Sequence, residues 1–305
     1  MSQLLRGTFT PLVTPFTRDD AIDFAALKRL IDLQLAAGVE GLIMLATTGE
    51  GPTVGVEEFQ RIVQFTIEKA RPRSKVLTGV GSNDTRTTLE QARRAAAMGV
   101  DGLLVVCPYY NRPTQAGLQD HFLAVADAVP VPQILYNIAG RTGVNIETDT
   151  LLGLSEHPNI VGVKEASDDI GQVMDVVARR SENFAVLSGC DHLNFPLLCL
   201  GGDGVISTLA NLVPGEVKAL VDSALAEDLA AARRLHNRLL PLARGCFIES
   251  NPIPVKTALA WQGKLEAAFR LPMRPMSQAN QDAWKSILTQ QGILPEAVPR
   301  KAATG

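Results

Sequence analysis

Residues 77–106 read LTGVGSNDTRTTLEQARRAAAMGVDGLLVV and hold one complete strand–helix–strand unit. The apolar run before Gly81 alternates little, as suits a parallel strand covered on both faces. A polar loop follows, where Asp84 or Thr85 can cap a helix, and Met98-Gly99 can close it. The next strand then starts at Gly102. The same pattern recurs along the chain. It predicts strands at 8–13, 41–46, 75–80, 102–107, 133–137, 159–164, 184–188 and 203–207. Helical stretches fall near 22–37, 56–70, 84–98, 115–128, 148–156, 169–180, 191–200 and 214–226. Eight such units, with no Gly-x-Gly-x-x-Gly opening, predict an α/β fold, a closed (β/α)8 TIM barrel. An open doubly wound sheet is the competing architecture. Beyond residue 226 the pattern is helical only, at 228–246, 252–262 and 277–291, an appended C-terminal helical region. The expected organisation is a barrel over 1–226, helices over 227–293 and a mobile tail over 294–305.

Composition narrows the function classes. The chain has 305 residues, 46% hydrophobic and 20% charged, with a net charge of −3. That is a globular composition, without the basic excess a nucleic-acid binder needs. No apolar run approaches the roughly 18 residues of a membrane span. The opening MSQLLRGTFTPLVTPF lacks the long apolar stretch of a signal peptide. Cys107, Cys190, Cys199 and Cys246 form no CxxC pair. Reduced thiols in a cytoplasmic protein are the expectation. His121, His157, His192 and His236 show no HxH or HExxH spacing, so no catalytic metal is expected, and each reads as a helix-surface or capping residue.

In a barrel of this kind the chemistry sits at the C-terminal strand ends. Lys164 ends the apolar run NIVGVK. Burial strips an ammonium of hydration and favours the neutral, nucleophilic amine. The plainer alternative is a rim lysine paired with an acid such as Glu165. Thr47 and Thr48 end the second strand, where two hydroxyls can bind a small carboxylate and relay a proton. They also suit a simple capping turn. Tyr109, Tyr110 and Tyr136 are the only tyrosines, and all fall at expected strand ends. Their hydroxyls can move protons, or their rings can pack at the rim or a subunit interface. Arg141, in a glycine-flanked loop, can clamp a carboxylate or remain a solvated charge. GGDGVIS, at 201–207, is followed by no basic residue and reads as a glycine turn lining a pocket.

Several segments together resemble the dihydrodipicolinate synthase / N-acetylneuraminate lyase family, nearest its synthase branch. They are TPLVTPF (10–16), TTGEG (47–51), PYYNRPTQAGLQDHF (108–122), PQILYNIAGRTG (132–143), VGVKEAS (161–167), LSGCD (187–191), GGDGVIS (201–207) and ESNPIPVKTAL (249–259). The resemblance implies a lyase of the Schiff-base class, with Lys164 forming an imine with pyruvate and no other cofactor. It implies a proton relay of Tyr136, Thr47 and Tyr110, with Tyr110 reaching into a neighbouring subunit. Thr48 would hold the pyruvate carboxylate, Arg141 the carboxylate of an aldehyde, and Gly189 and Ile206 would line the pyruvate pocket. The implied reaction is aldol condensation of pyruvate with L-aspartate-4-semialdehyde in the diaminopimelate/lysine pathway. The implied assembly is a homotetramer of tight dimers.

Three departures from the synthase pattern stand out: Ala139 where Pro is common, Cys190 where a second acid is common, and Gly51 where Ser is common. They leave open a sister pyruvate lyase or dehydratase acting on a sugar acid. Arg141 favours the synthase, since the sugar-acid lyases usually lack it. A non-catalytic paralogue that only binds a small oxo acid is the third reading. The intact set of Lys164, Tyr136, Thr47 and Tyr110 speaks against that.

Overall fold

Asp84 accepts a hydrogen bond from the Thr87 amide and caps the helix Thr85–Ala97, which ends at Met98 with Gly99 at φ 74°. The strands on either side of it pair in parallel, Leu77 opposite Gly102 and Val80 opposite Val105. The computed structural model describes residues 5–295 and repeats this unit around a circle. The strands are β1 (Gly7–Pro11), β2 (Gly41–Met44), β3 (Lys75–Val80), β4 (Gly102–Val106), β5 (Gln133–Asn137), β6 (Ile160–Glu165), β7 (Ala185–Ser188) and β8 (Gly204–Ile206). They close in sequence order, β8 pairing back onto β1. The barrel is therefore closed, and the open-sheet alternative is excluded.

The helices are α1 (Phe24–Ala37), α2 (Val56–Ala70), α3 (Thr85–Ala97), α4 (Gln115–Ala128), α5 (Ala139–Thr142), α6 (Thr148–Leu154), α7 (Ile170–Arg179), α8 (Asn194–Cys199) and α9 (Pro214–Leu225). The C-terminal region adds α10 (Leu229–Gly245), α11 (Ile253–Trp261) and α12 (Gln278–Gln290). Strand alternation sorts the core into two clusters. Phe9, Ile43, Leu77, Leu104, Ile134, Tyr136, Leu187 and Ile206 fill the barrel interior. Their strand neighbours Leu42, Val76, Leu103, Leu135, Val186 and Val205 face outward into the helical layer. α12 is anchored by Trp284, fully buried, whose indole N–H donates to the Pro254 carbonyl at 2.9 Å.

Several strand ends differ from the sequence expectation. β1 stops at Pro11, because the Asn211 amide accepts from Val13 N–H and donates to the Pro11 carbonyl. β2 stops at Met44, because Leu45 turns to φ 59°. β6 runs one residue further, to Glu165. The segment expected as one helix at 191–200 is a 3-10 turn, Asp191–Leu193, followed by α8. His121 is not a surface residue: it is buried in α4 and hydrogen-bonded to Thr85 at 2.9 Å. Leu294 packs against the core, whereas 296–305, most of the expected mobile tail, lies outside the described residues. No helix among the described residues is long and apolar enough to cross a membrane.

Candidate active site

Tyr136 and Lys164 are direct partners in the β5–β6 ladder. Leu135 and Val163, one residue back on each strand, belong to the outer core, so Tyr136 and Lys164 both point inward. Lys164 is 4% exposed and Tyr136 5%. The Lys164 amine lies 4.1 Å from the Tyr136 ring centroid, a cation–π distance. Gly189 supplies the room: a Cβ there would come within 2.9 Å of Lys164 Cε and 2.8 Å of Ala166 Cβ. Ile206 lies in the same interior cluster as Tyr136. Three expected site residues, Tyr136, Lys164 and Gly189, therefore meet in one small space, and Ile206 belongs to the barrel interior that encloses it.

Alternation sends Glu165 to the opposite face from Lys164, so the rim pairing of the two is not formed. Glu165 instead accepts from the Ser167 amide at 2.8 Å, from Asn137 at 3.1 Å and from Gln172 at 3.3 Å. Burial pushes its carboxyl above the ordinary range, and these donors oppose the rise. Asp191 is raised by burial in the same way, opposed first by the Ser207 hydroxyl and also by the charge of Lys164. Burial likewise raises the Cys190 thiol, and Asp168 adds to the rise. A lysine surrounded by apolar walls and by acids tied up elsewhere is suited to nucleophilic attack on a carbonyl.

Thr47 and Thr48 open a tight turn directly after β2. Leu45 and Glu50 bracket it with φ of 59° and 52°, both in the left-handed region that L-residues adopt at a cost. The next residue must approach closely: a Cβ on Gly51 would lie 2.0 Å from the Leu45 carbonyl oxygen. That accounts for Gly51 where Ser is common, since this backbone leaves a serine no space. Thr47 is half-buried and Thr48 buried. The turn is held at both ends from the C-terminal region. Asn251 Nδ2 donates to Thr48 Oγ1 at 2.9 Å, and Lys256 Nζ to Glu50 Oε1 at 2.5 Å.

Arg141 does not lie in a loop. It sits in the one-turn helix α5, is exposed, and donates from Nη2 to the Asn251 carbonyl at 3.4 Å. Asn251 thus touches both residues expected to bind carboxylates. Tyr110 is not brought to Lys164 within the chain. The residue is 88% exposed, on a backbone at φ 74° pinned by a hydrogen bond from its N–H to the Thr142 carbonyl. Two surface clefts among the described residues, about 620 Å³ beside Phe24, Phe65 and Met98 and about 510 Å³ beside Arg6, Arg71 and Glu40, are lined by none of these residues. Among the described residues, no group of three or more His, Cys, Asp or Glu is placed to hold a metal ion.

The model of the dihydrodipicolinate synthetase family matches residues 4–291. The chain belongs to that family. It is 46% identical over 294 residues to the 4-hydroxy-tetrahydrodipicolinate synthase of Koribacter versatilis (strain Ellin345), covering 96% of this chain and 98% of that one. The crystal structure of dihydrodipicolinate synthase from Aquifex aeolicus matches with a TM-score of 0.92 at 41% identity, over 95% of this chain and 99% of the other. The chloride-inhibited enzyme from Acinetobacter baumannii, complexed with pyruvate, matches with a TM-score of 0.93 at 37% identity, over 95% and 99%.

Sequence reading of this family member passed over Asn251, Lys256 and Glu50 as working residues. NPIPVK was visible as a motif, but no local pattern tells which turn it holds. Its signal was chemical: one lysine inside the apolar helix IPVKTALAW needs a partner.

Proposed function

We propose that the protein is a 4-hydroxy-tetrahydrodipicolinate synthase, condensing pyruvate with L-aspartate-4-semialdehyde through an imine on Lys164. The observation that carries this reading is the inward pairing of Lys164 with Tyr136, beside the space kept by Gly189. The Lys164 amine attacks the pyruvate carbonyl carbon, and water leaves to give the iminium. The iminium withdraws electrons, so the pyruvate methyl loses a proton and becomes an enamine carbon nucleophile. That carbon bonds to the aldehyde carbon, whose oxygen takes a proton. The amine of the second substrate then displaces Lys164 and closes the ring. Tyr136 and Thr47, with Tyr110 of another copy, carry the protons; no cofactor is required beyond the covalent imine. Thr48 takes the pyruvate carboxylate and Arg141 that of the aldehyde, while Gly189 and Ile206 shape the pocket. All four cysteines are free thiols, which suits a cytoplasmic enzyme.

Steady-state rates with varied aldehydes test the assignment. Aspartate semialdehyde is expected to turn over fastest. Arg141→Ala should lower its kcat/KM about 10- to 100-fold, the scale of a charge-assisted hydrogen bond, with little change for pyruvate. Equal losses for both substrates, or faster turnover of N-acetylneuraminate or another sugar acid, would overturn it.

The same proposal places Tyr110 in a neighbouring copy's site, within a homotetramer built from tight dimers. An aromatic side chain held outward on a left-handed backbone is what such a reach requires. Tyr110→Phe should lower kcat on the order of 10²-fold, as loss of a proton-transfer group does, without altering sedimentation. A fully active monomer at assay concentration would refute the shared site.

A further inference from the structure

Asn251 lies outside the barrel, two residues before α11, yet it is 5% exposed and its side chain reaches the catalytic-face turn. The contact has a chemical direction. An amide nitrogen only donates, so its bond at 2.9 Å makes the Thr48 oxygen the acceptor. A hydroxyl has a single hydrogen. With the Thr48 oxygen accepting from Asn251, that hydrogen is left for another acceptor. The other neighbour, Thr208 Oγ1, is 3.5 Å away, a long contact that competes weakly. A substrate carboxylate, acceptor-only and charged, is the stronger claimant. The Asn251 main-chain oxygen meanwhile receives Arg141 Nη2, so the residue stands between the groups assigned to the two substrates.

We propose that Asn251 is a positioning residue that fixes Thr48 as a hydrogen-bond donor toward the carboxylate of the 2-oxo acid substrate. The inference rests on the imine-forming reading of Lys164 given above. An aspartate at 251 has nearly the same shape but inverts the polarity. Its carboxylate can only accept, so it draws the Thr48 hydrogen onto itself and sets a negative charge beside the site for the substrate's own. Alanine removes the bond and leaves Thr48 free to rotate.

Borohydride trapping of the imine tests this without the aldehyde. The half-saturating concentration is measured for pyruvate and for methyl pyruvate, whose carboxylate is masked. For pyruvate it should rise about 100-fold in Asn251→Asp and about 10-fold in Asn251→Ala, the range of one charge-assisted hydrogen bond. For methyl pyruvate it should change less than about 3-fold in either. In a Thr48→Val background Asn251→Ala should add almost nothing, because the two side chains act as one unit. Should the aspartate variant not fold, the alanine variant alone decides. Equal rises for both ligands would show a merely structural residue, and no rise for pyruvate would remove the role altogether. Wild-type protein that traps no pyruvate would overturn the reading of Lys164 instead, which keeps the two failures apart.

Discussion

Lys164→Ala is expected to trap no pyruvate on borohydride treatment and to lose turnover by at least about 10³-fold, as removal of one member of a catalytic unit does. The wild-type chain should carry one pyruvate-derived adduct, on the peptide holding Lys164. Lys164→Arg should fail equally. The guanidinium stays protonated and has no free electron pair with which to attack. The loss has to be chemical and not a collapse of the fold. The Lys164 stem packs near Gly189 and its amine over Tyr136, but the surrounding acids hold their own partners: Glu165 with Asn137, Gln172 and Ser167, and Asp191 with Ser207 and the Leu209 amide. Circular dichroism of the variant should therefore match wild type. An adduct mapped to another lysine, or retained activity in Lys164→Ala, would falsify the mechanism.

How much of this was readable beforehand depends on where the information sits in the chain. The bounds of β3 and β5 were legible because glycines, prolines and acids punctuate those runs, and parallel strands are apolar throughout. The residue Leu45 was not legible as a left-handed strand terminator. GLIMLA looks like an uninterrupted strand, and only the close approach of Gly51 to the Leu45 carbonyl shows why it turns. The one-turn helix at Ala139–Thr142 is too short to have a period. For the site, the strand-end rule pointed to Lys164, Thr47, Thr48 and Tyr136, because each follows or ends an apolar run. That rule is blind to Asn251 and Lys256, which come from beyond the eighth strand. Lys256 meets a partner 206 residues earlier in the chain. Spacing conveys local geometry, and contacts of such range follow only from the closed fold.

The Glu50–Lys256 pair carries the largest expected stability effect. Both side chains are almost fully dehydrated, at 1% and 0% exposure, and the amine also lies 4.4 Å from the Phe16 ring and 5.0 Å from that of Phe269. Lys256→Met removes the cation and strands the Glu50 carboxylate, whose other donor is the Arg270 amide at 3.4 Å. The expected cost is about 3–5 kcal/mol, read from denaturant unfolding, which is a large share of a typical domain's stability. Turnover should fall with it, since Thr47 and Thr48 ride on the turn that Glu50 closes. Glu50→Gln acts differently, because burial already pushes the Lys256 ammonium below its ordinary value and Glu50 opposes the shift. Without the carboxylate the folded-state value falls further. Between that value and about 10.4, the unfolded chain binds one proton more than the folded chain. Stability of Glu50→Gln should therefore rise with pH across that window, beginning at a lower pH than in wild type. The double variant should cost less than the two single changes added, with a coupling of roughly 1–3 kcal/mol, since each single change leaves one charge without its partner. Strict additivity and a rise that begins at the same pH as in wild type would mean that the pair does not lock the turn.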